Sequence, residues 1–109
     1  MLVDIKKKFP NYKMQDKITE EKLKKYFKVT GDALKKLKLA APSKTHLDSI
    51  AKDYLNMAQT YYEDAKHFKE KGDYINAFAA LNYAHGWLDA GARLGIFDVD
   101  HDSILFTVD

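Results

Sequence analysis

The sequence contains no cysteine, which excludes disulfide scaffolds, thiolate-held zinc, iron–sulfur clusters and thiol catalysis. It has no apolar run approaching the roughly 18–20 residues that a membrane-spanning helix needs. Its first residues place a short apolar patch before lysines and lack the long apolar region of a secretory signal. Arginine is nearly missing too. Arg93 is the single arginine among 18 basic residues, so the bidentate fork suited to phosphate and guanine is scarce. No two of the 4 histidines stand three or four apart, so no helix presents a paired-histidine metal site. A soluble cytoplasmic protein without a cofactor is the expectation.

What is present is enough for one globular domain. The chain has 109 residues, 46% apolar and 31% charged, values that allow a buried core without a structural metal. The net charge of +2 hides a division: residues 1–44 carry +8 and residues 45–109 carry −6. A basic arm and first helix tracking nucleic-acid phosphates is one reading. A basic helix lying on an acidic remainder is the other, and it is favoured because the aromatics sit at core spacing and offer no stacking platforms. The excess of lysine over arginine and the absence of cysteine suggest a thermophilic source; the low glutamate count argues the other way.

Hydrophobic periodicity predicts three helices over residues 18–95, preceded by an arm (1–17) with a turn at Pro10. Thr19 is an N-cap, with Glu20 and Glu21 at the positive end of the dipole. Leu23, Tyr26, Phe27, Thr30, Leu34, Leu37 and Ala41 then follow at helical steps until Pro42 stops them. Gly31 invites a bend or break in that run. Ser43 or Thr45 caps a second helix, whose face runs from Leu47 through Ile50, Ala51, Tyr54, Ala58, Tyr61 and Ala65 to Phe68. Gly72 ends it, and Asp73 caps a third helix whose apolar face reaches from Ile75 through Leu81, Ala84 and Leu88 to Leu94 before Gly95. The two-residue connection makes the second and third helices antiparallel. The fold class is therefore all-α: a three-helix up-down-up bundle with an N-terminal arm and an extended C-terminal tail (96–109). In that tail, residues 104–108 are β-branched and aromatic with no partner strand in the chain. They are expected to pack extended over the bundle or to pair with a second molecule.

Three constellations invite a chemical reading. Asp98, Asp100, Asp102 and Asp109 fall at positions one, three, five and twelve of a calcium-type loop, yet Ser103 stands where glycine is needed and Asp109 where a bidentate glutamate belongs. A solvated acidic turn is preferred to a metal site. Asn82, His85, Asp89 and Arg93 share one face of the third helix, where a histidine–aspartate pair could serve as an oriented base and the arginine could clamp an anion. An ordinary Asp89–Arg93 ion pair is the simpler account. Tyr54, Tyr61, Tyr62, Tyr74 and Tyr83 could line a groove between the second and third helices for a peptide or an aromatic small molecule; core packing is the default.

The run Gly72-Asp73-Tyr74, the Asn76-Ala77-Phe78-Ala79-Ala80 segment and the Gly86-Trp87-Leu88-Asp89-Ala90-Gly91 signature, followed by Arg93-Leu94-Gly95, resemble an archaeal family known as domain of unknown function 357. The similarity extends from about residue 19 to the end. It implies a small three-helix bundle in an archaeal cytoplasm and assigns no catalytic residue. It directs attention to Asn82, His85, Trp87, Asp89 and Arg93 as a candidate surface. A weaker resemblance, to one tetratricopeptide-type hairpin, rests on Gly72-Asp73-Tyr74, Ala77, Ala80-Leu81 and Ala84. One unit cannot form such an array, which needs about three.

The leading functional reading is a non-enzymatic helical module that binds a protein partner, or a second copy of itself, through the third-helix face and the tail. The alternatives are a small hydrolytic or nucleotide-handling enzyme using His85, Asp89 and Arg93, and a weak nucleic-acid binder using the basic first helix.

Overall fold

The computed structural model describes Lys8 and residues 15–108. Most of the arm, its expected turn at Pro10, and Asp109 lie outside the described residues. Within them are α1 (Glu20–Lys36), α2 (His46–Glu70) and α3 (Tyr74–Leu94), with two short strands, β1 (Lys38–Leu39) and β2 (Phe97–Asp98). The all-α bundle is the observed fold.

Each helix begins where a side chain accepts an otherwise unpaired amide. Thr19 accepts from Lys22 N–H, Thr45 from Asp48 N–H and Asp73 from Asn76 N–H. α2 and α3 both end on a glycine with positive φ, 76° at Gly72 and 81° at Gly95. At each end two amides fold back: Gly72 and Asp73 donate to Lys69 and Phe68, Gly95 and Ile96 to Ala92 and Gly91. This closure satisfies carbonyls that a helix end leaves open, and only glycine takes the left-handed turn without steric cost.

α2 and α3 pack along their length, and α1 lies mainly on α3. Alanines 51, 58, 65, 77 and 84 are fully buried; with so little side chain between them the two long helices approach closely. The pairs Tyr26–Phe78 and Phe27–Tyr62 meet edge to face at 4.8 and 5.8 Å, fixing α1 against both neighbours. α1 runs unbroken through Gly31, where a β-carbon would stand 2.8 Å from the Tyr62 hydroxyl. The outer end of the Tyr62 side chain occupies the space beside the glycine.

The first helix is shorter than its periodicity suggests. It stops at Lys36, and the chain turns extended so that Lys38 and Leu39 pair antiparallel with Asp98 and Phe97. Leu37 and Ala41 still pack on the core, but from non-helical backbone. Lys38 faces Asp98 across the pair, one place where the basic and acidic parts of the chain meet; opposite charges in that register are favourable.

The core has two lobes. Leu23, Ala65, Ala77, Ala80 and Leu81 form one. In the other, Ala33, Ala51, Ala58 and Leu88 are roofed by Ile96, Phe97, Val99 and Phe106. The tail is thus core, not dressing. Burying each phenylalanine contributes about 1.5–3 kcal/mol. Phe97 enters because Gly91 leaves room: a β-carbon there would lie 2.3 Å from its ring. Residues 104–108 are not an extended strand; turns and bends run through them, with Phe106 buried and Ile104 91% exposed.

Candidate functional site

The polar row on α3 is occupied by the chain's own tail. His85 is held between Thr30 of α1, whose hydroxyl lies 3.1 Å from Nδ1, and the Leu105 carbonyl, 2.7 Å from Nε2. A carbonyl only accepts, so Nε2 carries the proton in this arrangement. One turn on, Asp89 Oδ1 accepts from the Thr107 amide at 2.9 Å. One turn further, Arg93 donates to the Thr107 carbonyl at 3.2 Å. His85 and Asp89 are themselves 3.7 Å apart. The three side chains do converge, in a shallow recess of about 360 Å³ beside the tail. Each, however, commits one polar atom to the tail backbone, and this is the arrangement of a strap held down at successive helical turns. The Asp89–Arg93 ion pair anticipated from spacing is replaced by a shared grip on Thr107. Thr30 was not legible as a partner of His85; its only signal is a hydroxyl in an otherwise apolar row.

Asn82 and Trp87 stand elsewhere. With Tyr54, Tyr83, Gly86 and Ala90 they line a separate hollow of about 230 Å³ on the α2–α3 flank. The expected surface therefore divides: His85, Asp89 and Arg93 face the tail, Asn82 and Trp87 the open side. Part of the tyrosine groove forms here. Tyr61 meets Tyr83 at 4.5 Å, Tyr83 meets Trp87 at 6.1 Å and Trp87 meets Tyr54 at 4.9 Å, all edge to face. Tyr62 and Tyr74 instead pack in the other core lobe. The Trp87 indole N–H is buried without a hydrogen-bond partner, a donor left unpaired under this hollow.

The outer side of α3 is where periodicity misled. Ile75 and Leu94, expected in the buried face, are 67% and 57% exposed, and Leu47 at the start of α2 is 49% exposed. Ile75, Ala79, Tyr83, Gly86, Ala90 and Leu94 succeed one another at steps of four, four, three, four and four, all of them exposed. That row carries no charge over the whole helix. Sequence reasoning placed its end members inside because α3 is apolar nearly all round, which ordinarily means burial.

The aspartates of the tail shape turns. Asp98 accepts from the Asp100 amide, and Asp102 from the amides of Ile104 and Leu105. Asp100 and His101 both adopt φ 54°. Among the described residues no group of three or more histidine and acidic side chains is placed to hold a metal ion. Asp48 is the one clearly perturbed acid among the described residues. The Lys52 ammonium at 2.9 Å, and then the Lys44 amide, hold its carboxyl below the ordinary range against the opposing effect of burial. Its place beside the Thr45 cap marks it as a helix-start device.

On α1, Lys28 pairs with Asp32 at 2.7 Å, and Lys22 lies over Phe78 of α3 at 5.7 Å. Lys24, Lys25, Lys35 and Lys36 are exposed. No helix among the described residues is long and apolar enough to cross a membrane.

A family model described as "Protein of unknown function (DUF357)" matches residues 25–97. The chain belongs to the DUF357 family. The DUF357 match begins inside α1, takes in α2 and α3 and ends at the start of β2, so it includes Thr30, His85, Asp89 and Arg93 but leaves the strapped residues Leu105 and Thr107 outside. It begins later and ends earlier than the resemblance first suggested. No curated protein and no solved structure matches the chain.

Proposed function

We propose that this DUF357 protein is a non-enzymatic helical interaction module whose docking face is the open side of α3 with the adjoining edge of α2. One observation carries the reading: a full-length, uncharged and exposed row on α3 in a chain that is 31% charged. Water gains nothing from Ile75, Tyr83 and Leu94 on one line, and contiguous apolar surface of this kind is typical of binding sites. The aromatic hollow beside the row supplies rigid side chains of the sort enriched where interfaces bind tightly. The docking surface is narrower than the third-helix face and tail expected from the sequence, because His85, Asp89 and Arg93 are engaged with the tail.

The test is site-specific photocrosslinking in cells, with a benzophenone side chain at position 90 on the row or at position 63 on the far side of α2. A discrete adduct from position 90 alone, abolished by Ala79→Glu, is the expected result. Equal adducts from both positions, or none from position 90, would defeat the proposal.

A further inference from the structure

We infer that the occupant of this face is a second copy of the same chain, with the two α3 helices packed antiparallel about a two-fold axis near Gly86. The inference rests on the docking face proposed above and names its partner.

The row is self-complementary in size. An antiparallel two-fold centred between residues 86 and 87 sets position 83 against position 90 of the partner, and position 79 against position 94. Bulky Tyr83 then meets the partner's Ala90, and small Ala79 meets the partner's Leu94, each large side chain entering a gap left by a small one. Gly86, with nothing within 4 Å of where its β-carbon would be, lies at the crossing. In this register the space at Gly86 faces the partner's Trp87, again a large side chain set against a small residue. Charge agrees with size. The α3 row carries no charge, so setting it against the same row of an identical chain brings no like charges together, and a two-fold contact is the commonest way identical chains pair.

Area is adequate. α3 is 21 residues long, about 30 Å at 1.5 Å per residue. The α2 edge adds Tyr54, Tyr61 and Leu47, and the register set by Tyr61–Tyr83 and Tyr54–Trp87 brings Leu47 opposite Leu94 at the far end. A face about 30 Å by 20–25 Å approaches the roughly 800 Å² per partner of a standard specific interface. The added pair of helices would also give α3 the fourth side that its apolar composition lacks in the single chain.

The full chain is tested by sedimentation equilibrium and by mixed-disulfide trapping, which is unambiguous because the chain has no cysteine. The expected species has twice the 12.5 kDa of one chain. Ala90→Glu, at an exposed helical position where the fold is not at stake, should weaken association about 100-fold or more by burying an unpaired carboxylate, with an unchanged circular dichroism spectrum. Under mild oxidation a mixture of the Tyr83→Cys and Ala90→Cys chains should cross-link, while each alone should not: the two copies of position 83 stand about 10 Å apart along the axis, beyond the roughly 7 Å that a disulfide spans. A strict monomer at all concentrations, or efficient cross-linking of either variant with itself, overturns the inference. A heterotypic adduct from position 90 in cells, with a monomer in isolation, would sink the self-pairing and leave the docking face standing; no adduct would remove both.

Discussion

His85 Nε2 lies 2.7 Å from the carbonyl oxygen of Leu105, and through this contact a helix side chain fixes a segment twenty residues further along. On its other side the same ring meets Thr30, so one imidazole joins α1, α3 and the tail. Replacing it by alanine leaves a half-buried carbonyl and a buried hydroxyl unmatched. His85→Ala should cost about 1–3 kcal/mol in urea unfolding, and the Thr107 amide, bonded to Asp89 one turn away, should exchange with deuterium faster. Unchanged exchange at Thr107 would show that the tail is held by its apolar contacts alone.

Two glycine-to-alanine changes should part company. At Gly91 the new methyl meets the ring of buried Phe97, and overpacking of this kind costs about 1–3 kcal/mol. At Gly31 the obstacle is the outer end of the Tyr62 side chain, which can move, and alanine regains up to about 1 kcal/mol of helix propensity. Gly91→Ala should lower the midpoint of chemical unfolding clearly, and Gly31→Ala should leave it within about 1 kcal/mol of the parent.

The tail offers a second contrast. Phe106→Ala empties a buried site and should cost about 3–5 kcal/mol. Ile104→Lys, two residues away at a position 91% exposed, should change stability by no more than about 0.5 kcal/mol. Thermal melts of the two variants read this directly.

Asp48 gives a pH dependence of known sign. Its carboxyl is held below the ordinary 3.8 in the folded chain by Lys52 and the Lys44 amide, whereas the unfolded chain titrates near that ordinary value. The folded state therefore gains from the ionised form above about pH 4, and the gain fades as pH falls through the lower native value. Asp48→Asn should flatten the acid limb of a stability-versus-pH curve below pH 4 and leave its neutral and basic limbs parallel to those of the parent.

The three helix starts and the glycine stops of α2 and α3 were legible because they are local. Thr19, Thr45 and Asp73 each bond an amide three residues on, and Gly72 and Gly95 close turns within a few residues. Pairings over longer distance were not. Leu37 and Ala41 continue the helical period of α1, yet the backbone there answers to Phe97 and Asp98, almost sixty residues later. Of the polar row, the sequence set His85, Asp89 and Arg93 on one face but could not say that Leu105 and Thr107 would meet them. α3 posed the hardest case: where nearly every side is apolar, period alone does not tell which side finds a neighbour, and Ile75 and Leu94 were assigned to the wrong one.

The roof over Ala33, Ala51 and Ala58 also has a kinetic meaning. A nascent chain that has emerged only as far as Leu94 already owns the paired α2 and α3 but must hold one greasy trough open to water. Phe97 and Phe106 follow, and only then can that trough close. Mutations that delay or weaken their docking should be felt first as aggregation during synthesis, before any loss appears in the finished molecule.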